Sequence, residues 1–164
     1  MTFNADSPTN DCNLTKLNVS GGNPQSLEKG GITLKISVAD GEHASWNTAV
    51  AGSNHGQTIG LAKDANITIS SSAEMKITKI VFNFETNNKG YFAESPTIGG
   101  TLDKSTSDVN TQCVNTQTWS LKEGANSVSF INNKDKAYIT SIELIYQTGG
   151  LDNYTVQDYP YTWN

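Results

Sequence analysis

Two stretches of the chain repeat one strand pattern: MKITKIVFNFE, residues 75–85, and AYITSIELIYQ, residues 137–147. Each contains Ile-Thr-x-Ile followed by apolar residues at every second position, which is the period of a half-buried β-strand. The first isoleucine of each stretch, Ile77 or Ile139, is out of phase with the apolar residues that follow it. One extra residue at a β-bulge would return both isoleucines to the buried face. Alternatively, each isoleucine covers a second small cluster on the opposite face.

We interpret these stretches as long core strands, one for each half of the domain. Residues 31–39 alternate strictly, and shorter strands are expected in 57–64, 65–72, 110–121 and 126–132. Turn signals separate these segments, and no segment has the 3.6-residue period of a helix. The sequence therefore predicts an all-β fold, a two-sheet antiparallel β-sandwich that is jelly-roll-like, with about seven to nine short strands.

The pattern also suggests how the chain is divided. Residues 1–30 are rich in turn residues and are expected to form a lead-in with at most one edge strand. Residues 31–147 are expected to form the sandwich domain. Residues 148–164 follow a Gly pair and contain four aromatic side chains, so they are either a last packed strand or a linker to another module.

The composition excludes several classes of function. The chain has 18 Asn, 19 Thr and 16 Ser in 164 residues, a composition that disfavours long helices and suits strands joined by turns. Its formal charge is −5, and its eleven basic residues are all Lys. The absence of Arg and of any basic cluster argues against nucleic acid and against anionic membranes as partners. No apolar run approaches the ~18 residues of a membrane span.

The sequence leaves two alternatives open for the cellular location and two for the state of the cysteines. The first ten residues lack the basic and apolar regions of a signal peptide. The protein is therefore cytosolic, or the sequence starts at a mature or domain boundary behind an added Met; we expect the second, with secretion or display at the cell surface. Cys12 and Cys113 form a bridge that closes a long loop, or they are two unpaired thiols.

The segments NITIS, MKITKIVFNFE, TWSLKEGANSVSF and YITSIELIY together resemble a domain type of secreted and surface multidomain proteins of gut-dwelling anaerobes. The resemblance covers roughly residues 31–147 and consists of β patterns rather than chemical signatures. It implies a jelly-roll fold similar to carbohydrate-binding modules, which accompany enzymes or adhesins and are not themselves catalytic. The implied partners are a polysaccharide or other glycan and further modules of the same polypeptide.

Catalytic signatures are absent from the sequence. It has no G-x-S-x-G, P-loop, G-x-G-x-x-G or H-E-x-x-H pattern. No Asp or Glu occupies an apolar setting that would suit a glycosidase acid. We therefore expect a protein that is not an enzyme.

Binding of a sugar needs an exposed aromatic ring that stacks on the pyranose, with amide, carboxylate or hydroxyl groups close by. The best candidate ring is Trp46, with His43, Asn47 and Asn54 as polar neighbours in a stretch read as a loop. Alternatively, Trp46 closes one end of the sandwich. Tyr91 and Phe92 are the second candidate pair. The aromatic residues expected in the core are Phe82, Phe84, Trp119, Phe130 and Tyr146.

No cofactor is expected, although a structural Ca²⁺ is compatible with the fold class. Its donors would be Asp40 and Glu42, with Asp103 and Asp108 as further candidates. The alternative is that these carboxylates are solvated turn residues, since no D-x-[DN]-x-[DN]-G loop occurs.

Overall fold

The computed structural model of the chain describes residues 1–4, 13–47, 58–85, 100–102, 116–132 and 136–149. These residues form twelve strands and one 3₁₀-helix, Leu14–Lys16. They contain no helix long and apolar enough to cross a membrane. The strands are β1 (Thr2–Asn4), β2 (Asn18–Ser20), β3 (Gln25–Lys29), β4 (Ile32–Ser37), β5 (His43–Asn47), β6 (Thr58–Ala62), β7 (Asn66–Ser71), β8 (Met75–Phe84), β9 (Thr101–Leu102), β10 (Thr116–Ala125), β11 (Ser127–Ile131) and β12 (Lys136–Thr148).

The strands are arranged in two sheets. The large sheet has eight strands in the order β2-β5-β6-β12-β8-β10-β9, with β1 also paired to β12. The small sheet has the order β11-β7-β4-β3. The strand ladders are antiparallel. The predicted two-sheet antiparallel sandwich is therefore confirmed, and its described part has more strands than the seven to nine expected.

A single apolar core fills the space between the sheets. The alternating residues Ile32, Leu34 and Ile36 of β4 are fully buried, as the strict period of residues 31–39 predicted. Aromatic rings connect the two layers: Phe130 of the small sheet lies edge-on to Phe82 of the large sheet, with ring centroids 5.0 Å apart. Trp119 of the large sheet also packs against Phe130, with ring centroids 5.5 Å apart. Such pairs add to the free energy gained from burying their area.

The two repeated stretches form β8 and β12, which are neighbours at the centre of the large sheet. The expectation that they serve separate halves of the domain is wrong, because they pair with each other. Ile80 pairs with Leu144, and Phe82 pairs with Ile142. Each residue of β8 has its equivalent in β12 62 positions later, so that Ile80 corresponds to Ile142. The pairing of the two strands is therefore symmetric about the pair formed by Val81 and Glu143.

The phase change within each repeat is a β-bulge. Thr140 is an extra residue between the pairs Ile139–Phe84 and Ser141–Asn83, and Thr78 is the equivalent extra residue in β8. Ile77 and Ile139 are both fully buried and belong to the one core cluster. The bulge interpretation is therefore confirmed, and the alternative of a second cluster on the opposite face is wrong.

Each bulge threonine makes the same hydrogen bond. Thr78 Oγ1 donates to the carbonyl of Ile145 at 3.2 Å, and Thr140 Oγ1 donates to the carbonyl of Asn83 at 3.1 Å. A bulge disturbs the ladder and leaves main-chain groups in need of partners. The threonine in Ile-Thr-x-Ile thus supplies a donor to the partner strand where the ladder is disturbed.

Residues 1–30 contribute more strands than the single edge strand expected. β1 and β2 lie in the large sheet and β3 lies in the small sheet. Phe3 and Val19 are fully buried in the common core, and Leu27 is nearly so. The described part of the lead-in is therefore packed into both layers of the sandwich.

The Asn126 side chain makes hydrogen bonds at the place where the chain passes twice between the two sheets. The chain passes from β7 to β8 and from β10 to β11 at this place, each time crossing between the layers. The Asn126 side-chain amide donates to the carbonyl of Ser72 at 2.9 Å and to that of Met75 at 2.6 Å. Its Oδ1 accepts from Lys76 Nζ. One side chain therefore ties both crossings together.

Candidate functional site

Trp46 lies in strand β5, not in the loop that the sequence suggested. It pairs with Ile59 of β6, and its main-chain N–H donates to the carbonyl of Leu17 at 3.4 Å. The side chain is half-buried and packs against the core, on the same face of the strand as the buried Ala44. The indole is therefore held in place by the sandwich while part of it stays accessible.

The structure separates Trp46 from His43, one of its predicted polar neighbours. His43 is exposed and is three positions away in the same strand, so strand alternation places it on the opposite face from Trp46. Asn47 ends the strand, and its side chain is outside the part that the structure describes. Asn54, Tyr91 and Phe92 lie outside the described residues.

The candidate calcium donors Asp40 and Glu42 lie on a tight turn between β4 and β5. The Glu42 N–H donates to the carbonyl of Ala39 at 3.0 Å, and the Glu42 carbonyl accepts from the Gly21 N–H at 3.1 Å. Both carboxylate side chains are exposed. Within the described residues, no group of three or more His, Cys, Asp or Glu side chains is arranged to hold a metal. Asp103 and Asp108 lie outside those residues, as do Cys12 and Cys113.

Gly21 allows the turn at 20–23 to pack directly on this acidic turn. A Cβ at Gly21 would lie 2.6 Å from both the carbonyl oxygen of Ala39 and the Cα of Asp40, which are backbone atoms. We expect Gly21→Ala to lower the free energy of unfolding by about 1–3 kcal/mol because the two turns must separate. Urea unfolding measures this change.

Asn23→Ala is the matched control for Gly21→Ala. Asn23 is exposed in the same turn, where its main-chain N–H donates to the carbonyl of Ser20 at 2.9 Å. Removal of its side chain is expected to change stability by less than about 0.5 kcal/mol. Equal effects of the two substitutions would contradict the close packing of the turns.

A concave feature lies at the tip of the β3–β4 hairpin. We call it the hairpin groove; its volume is about 610 Å³. It is lined by Glu28, Lys29, Gly30, Gly31, Ile32, Thr33, Ser70, Ser71 and Ser72. Gly30 and Gly31 have φ values of +55° and +79°, as the two central residues of a type I′ hairpin turn require. No pattern in the sequence predicts this groove, although its Gly-Gly pair marks the turn.

No protein-family model matches the sequence. A search of curated proteins found no significant match either.

Proposed function

We propose that the chain is a non-catalytic, carbohydrate-binding-module-like domain of an exported protein, which binds a polysaccharide or other glycan through Trp46. The observation that carries this proposal is the state of the Trp46 side chain, which is half-buried against the core and held by a paired strand. A ring fixed in this way stacks on a sugar at little cost in conformational entropy.

A comparison of the aromatic side chains supports the choice of Trp46. Phe3, Phe82, Trp119 and Phe130 are all buried, with exposures of 2% or less. Among the described aromatic residues, Trp46 and Tyr146 are the two that are half-buried. Trp46 has the larger ring and the indole N–H, a donor for a sugar hydroxyl. Tyr146 therefore serves as a natural control.

The first test is intrinsic tryptophan fluorescence during titration with a panel of plant and host polysaccharides. A saturable change is expected with at least one polysaccharide. Trp46→Phe should abolish the fluorescence change, and Trp46→Ala should weaken retention in a polysaccharide affinity gel at least about tenfold, a loss of about 1.4 kcal/mol. The contact removed is the stacking of the indole on the sugar ring.

Tyr146→Leu is the control for this test, because Tyr146 is the second half-buried aromatic residue of the described part of the chain and also packs on the core. Its retention in the gel should equal that of the unchanged protein. The proposal is wrong if no polysaccharide alters the fluorescence, or if folded Trp46→Ala is retained as strongly as the unchanged protein.

The alternative function is a structural or adhesin module that makes protein contacts. The observation in its favour is Ile145, which is 55% exposed on the outer face of the central strand β12. Val81, half-buried, lies on the same face of the neighbouring strand β8. Contiguous exposed apolar patches mark contact surfaces, and these two side chains would supply part of such a patch. A negative result across the polysaccharide panel favours this function over glycan binding.

A further inference from the structure

The register of the small sheet brings three polar side chains from different strands into one row of the hairpin groove. Glu28 of β3 pairs with Thr33 of β4, and Thr33 pairs with Ser70 of β7. Directly paired residues project from the same face of a sheet, with neighbouring strands about 4.8 Å apart. A carboxylate and two hydroxyls therefore stand side by side along one wall of the groove.

These polar groups are available to a ligand. Thr33 and Ser70 are half-buried, and Glu28 and Ser72 are exposed. None of the four side chains has a hydrogen-bond partner among the described residues. Ser71 differs, because its hydroxyl donates to the carbonyl of Met75 at 2.8 Å. The groove thus combines a structural hydroxyl with three hydroxyls and one carboxylate that are open to solvent.

The groove is fixed before any ligand arrives. The Ser72 N–H donates to the carbonyl of Gly31 at 2.9 Å, which joins the tip of the hairpin to the end of β7. Ile32 is fully buried beneath the groove and connects it to the core. A site that needs no rearrangement avoids an entropic cost on binding.

The chemistry of this lining fits a saccharide. Hydroxyls both donate and accept, and an ionised carboxylate accepts from two neighbouring sugar hydroxyls. The volume of about 610 Å³ lies within the range of small-ligand sites. Acidic Glu28 and basic Lys29 both line the groove, which matches a ligand without net charge. None of the described residues that line it is aromatic, so recognition by these residues would rest on hydrogen bonds and not on stacking.

We propose that the hairpin groove is a second saccharide subsite, which recognises sugar hydroxyls through Glu28, Thr33 and Ser70. That the ligand of the groove is a saccharide rests on the glycan-binding function proposed above. The groove is separate from Trp46, because its walls belong to the small sheet whereas Trp46 belongs to the large sheet. The two sites would contact different parts of a long glycan or two different chains.

The test is an NMR titration of the ¹⁵N-labelled chain with cellobiose, xylobiose, mannobiose and lactose, and with sorbitol as an open-chain polyol. The Gly30 and Gly31 amides report on the groove, and the Trp46 indole N–H reports on the other site. At least one disaccharide should shift both glycine amides in a saturable way at millimolar concentration. Sorbitol should not.

Substitutions locate the binding groups. Ser70→Ala and Glu28→Gln should each weaken the binding seen at the glycine amides about fivefold to tenfold, which is the loss of one hydrogen bond. Ser37→Ala is the matched control, because Ser37 is a half-buried serine of the same sheet that does not line the groove. It should leave the affinity unchanged.

The outcomes separate this inference from the proposed function. Shifts at the glycine amides without a shift at Trp46 support the groove and overturn the Trp46 site. Shifts at Trp46 alone keep the proposed function and overturn the groove. The groove is also overturned if sorbitol and the disaccharides act alike, or if Ser37→Ala weakens binding as much as Ser70→Ala.

Discussion

Deletion of Thr140 is expected to leave the protein unable to fold. Thr140 is the extra residue of the β12 bulge, and it keeps both Ile139 and Ile142 on the buried face. Without it, the residues on one side of the bulge must turn to the other face, since side chains alternate along a strand. Ile139 would then leave the core cluster, and Tyr138, which is buried outside that cluster, would take its place. The cost approaches the whole stability of a small domain, about 5–15 kcal/mol.

Circular dichroism and urea unfolding measure this effect. Thr140→Val is the control, because it keeps the extra residue and removes only the hydrogen bond to the Asn83 carbonyl. It should cost about 1 kcal/mol. Thr78→Val should cost a similar amount, because Thr78 makes the equivalent bond to Ile145. A deletion variant that unfolds at the wild-type urea concentration would show that the bulge does not set the register.

Asn132→Asp is expected to have the second largest effect. Asn132 is fully buried at the end of β11, where its Nδ2 donates to the carbonyls of Leu61 and Ala62 at 3.2 and 2.8 Å. Aspartate has the same shape and no donor when ionised, so it would place a buried negative charge against two carbonyl oxygens. We expect the free energy of unfolding near neutral pH to fall by about 3–5 kcal/mol.

Asn132→Ala separates the lost hydrogen bonds from the introduced charge. It removes both donors and adds no charge, and it should cost about 1–3 kcal/mol. The main-chain bonds of Asn132, from its N–H to Ala65 and to its carbonyl from Asp64, remain possible in both variants. If urea unfolding finds the aspartate variant as stable as the alanine variant, the side chain does not face the two carbonyls in the folded state.

The fold could be predicted where a strand buries several residues at regular spacing. The strict alternation of residues 31–39 identified β4. The phase change in Ile-Thr-x-Ile indicated a bulge in each repeat as one of two alternatives, and the strand register decides for the bulge. β1 and β2 are three residues long and bury one residue each, so their local pattern has no period to detect. The partner of a strand is likewise absent from its own sequence, which is why the pairing of β8 with β12 was missed.

The candidate sites show the same limit. Trp46 stood out as an aromatic residue in a polar stretch. The strand alternation that separates it from His43 could not be recognised in HASWN, because every residue there except Trp46 is small or polar. The hairpin groove was missed because Glu28, Thr33 and Ser70 come from three strands. Only the register between those strands brings them into one row.

The central position of β12 also affects the order of events during synthesis. β12 joins the part of the large sheet made of β2, β5 and β6 to the part made of β8, β10 and β9, and it also pairs with β1. It is the last of the described strands to leave the ribosome. Until then, the large sheet lacks the strand that joins its two parts. Folding of this layer therefore follows synthesis of residue 148, and its dependence on pairings distant in sequence makes folding slow.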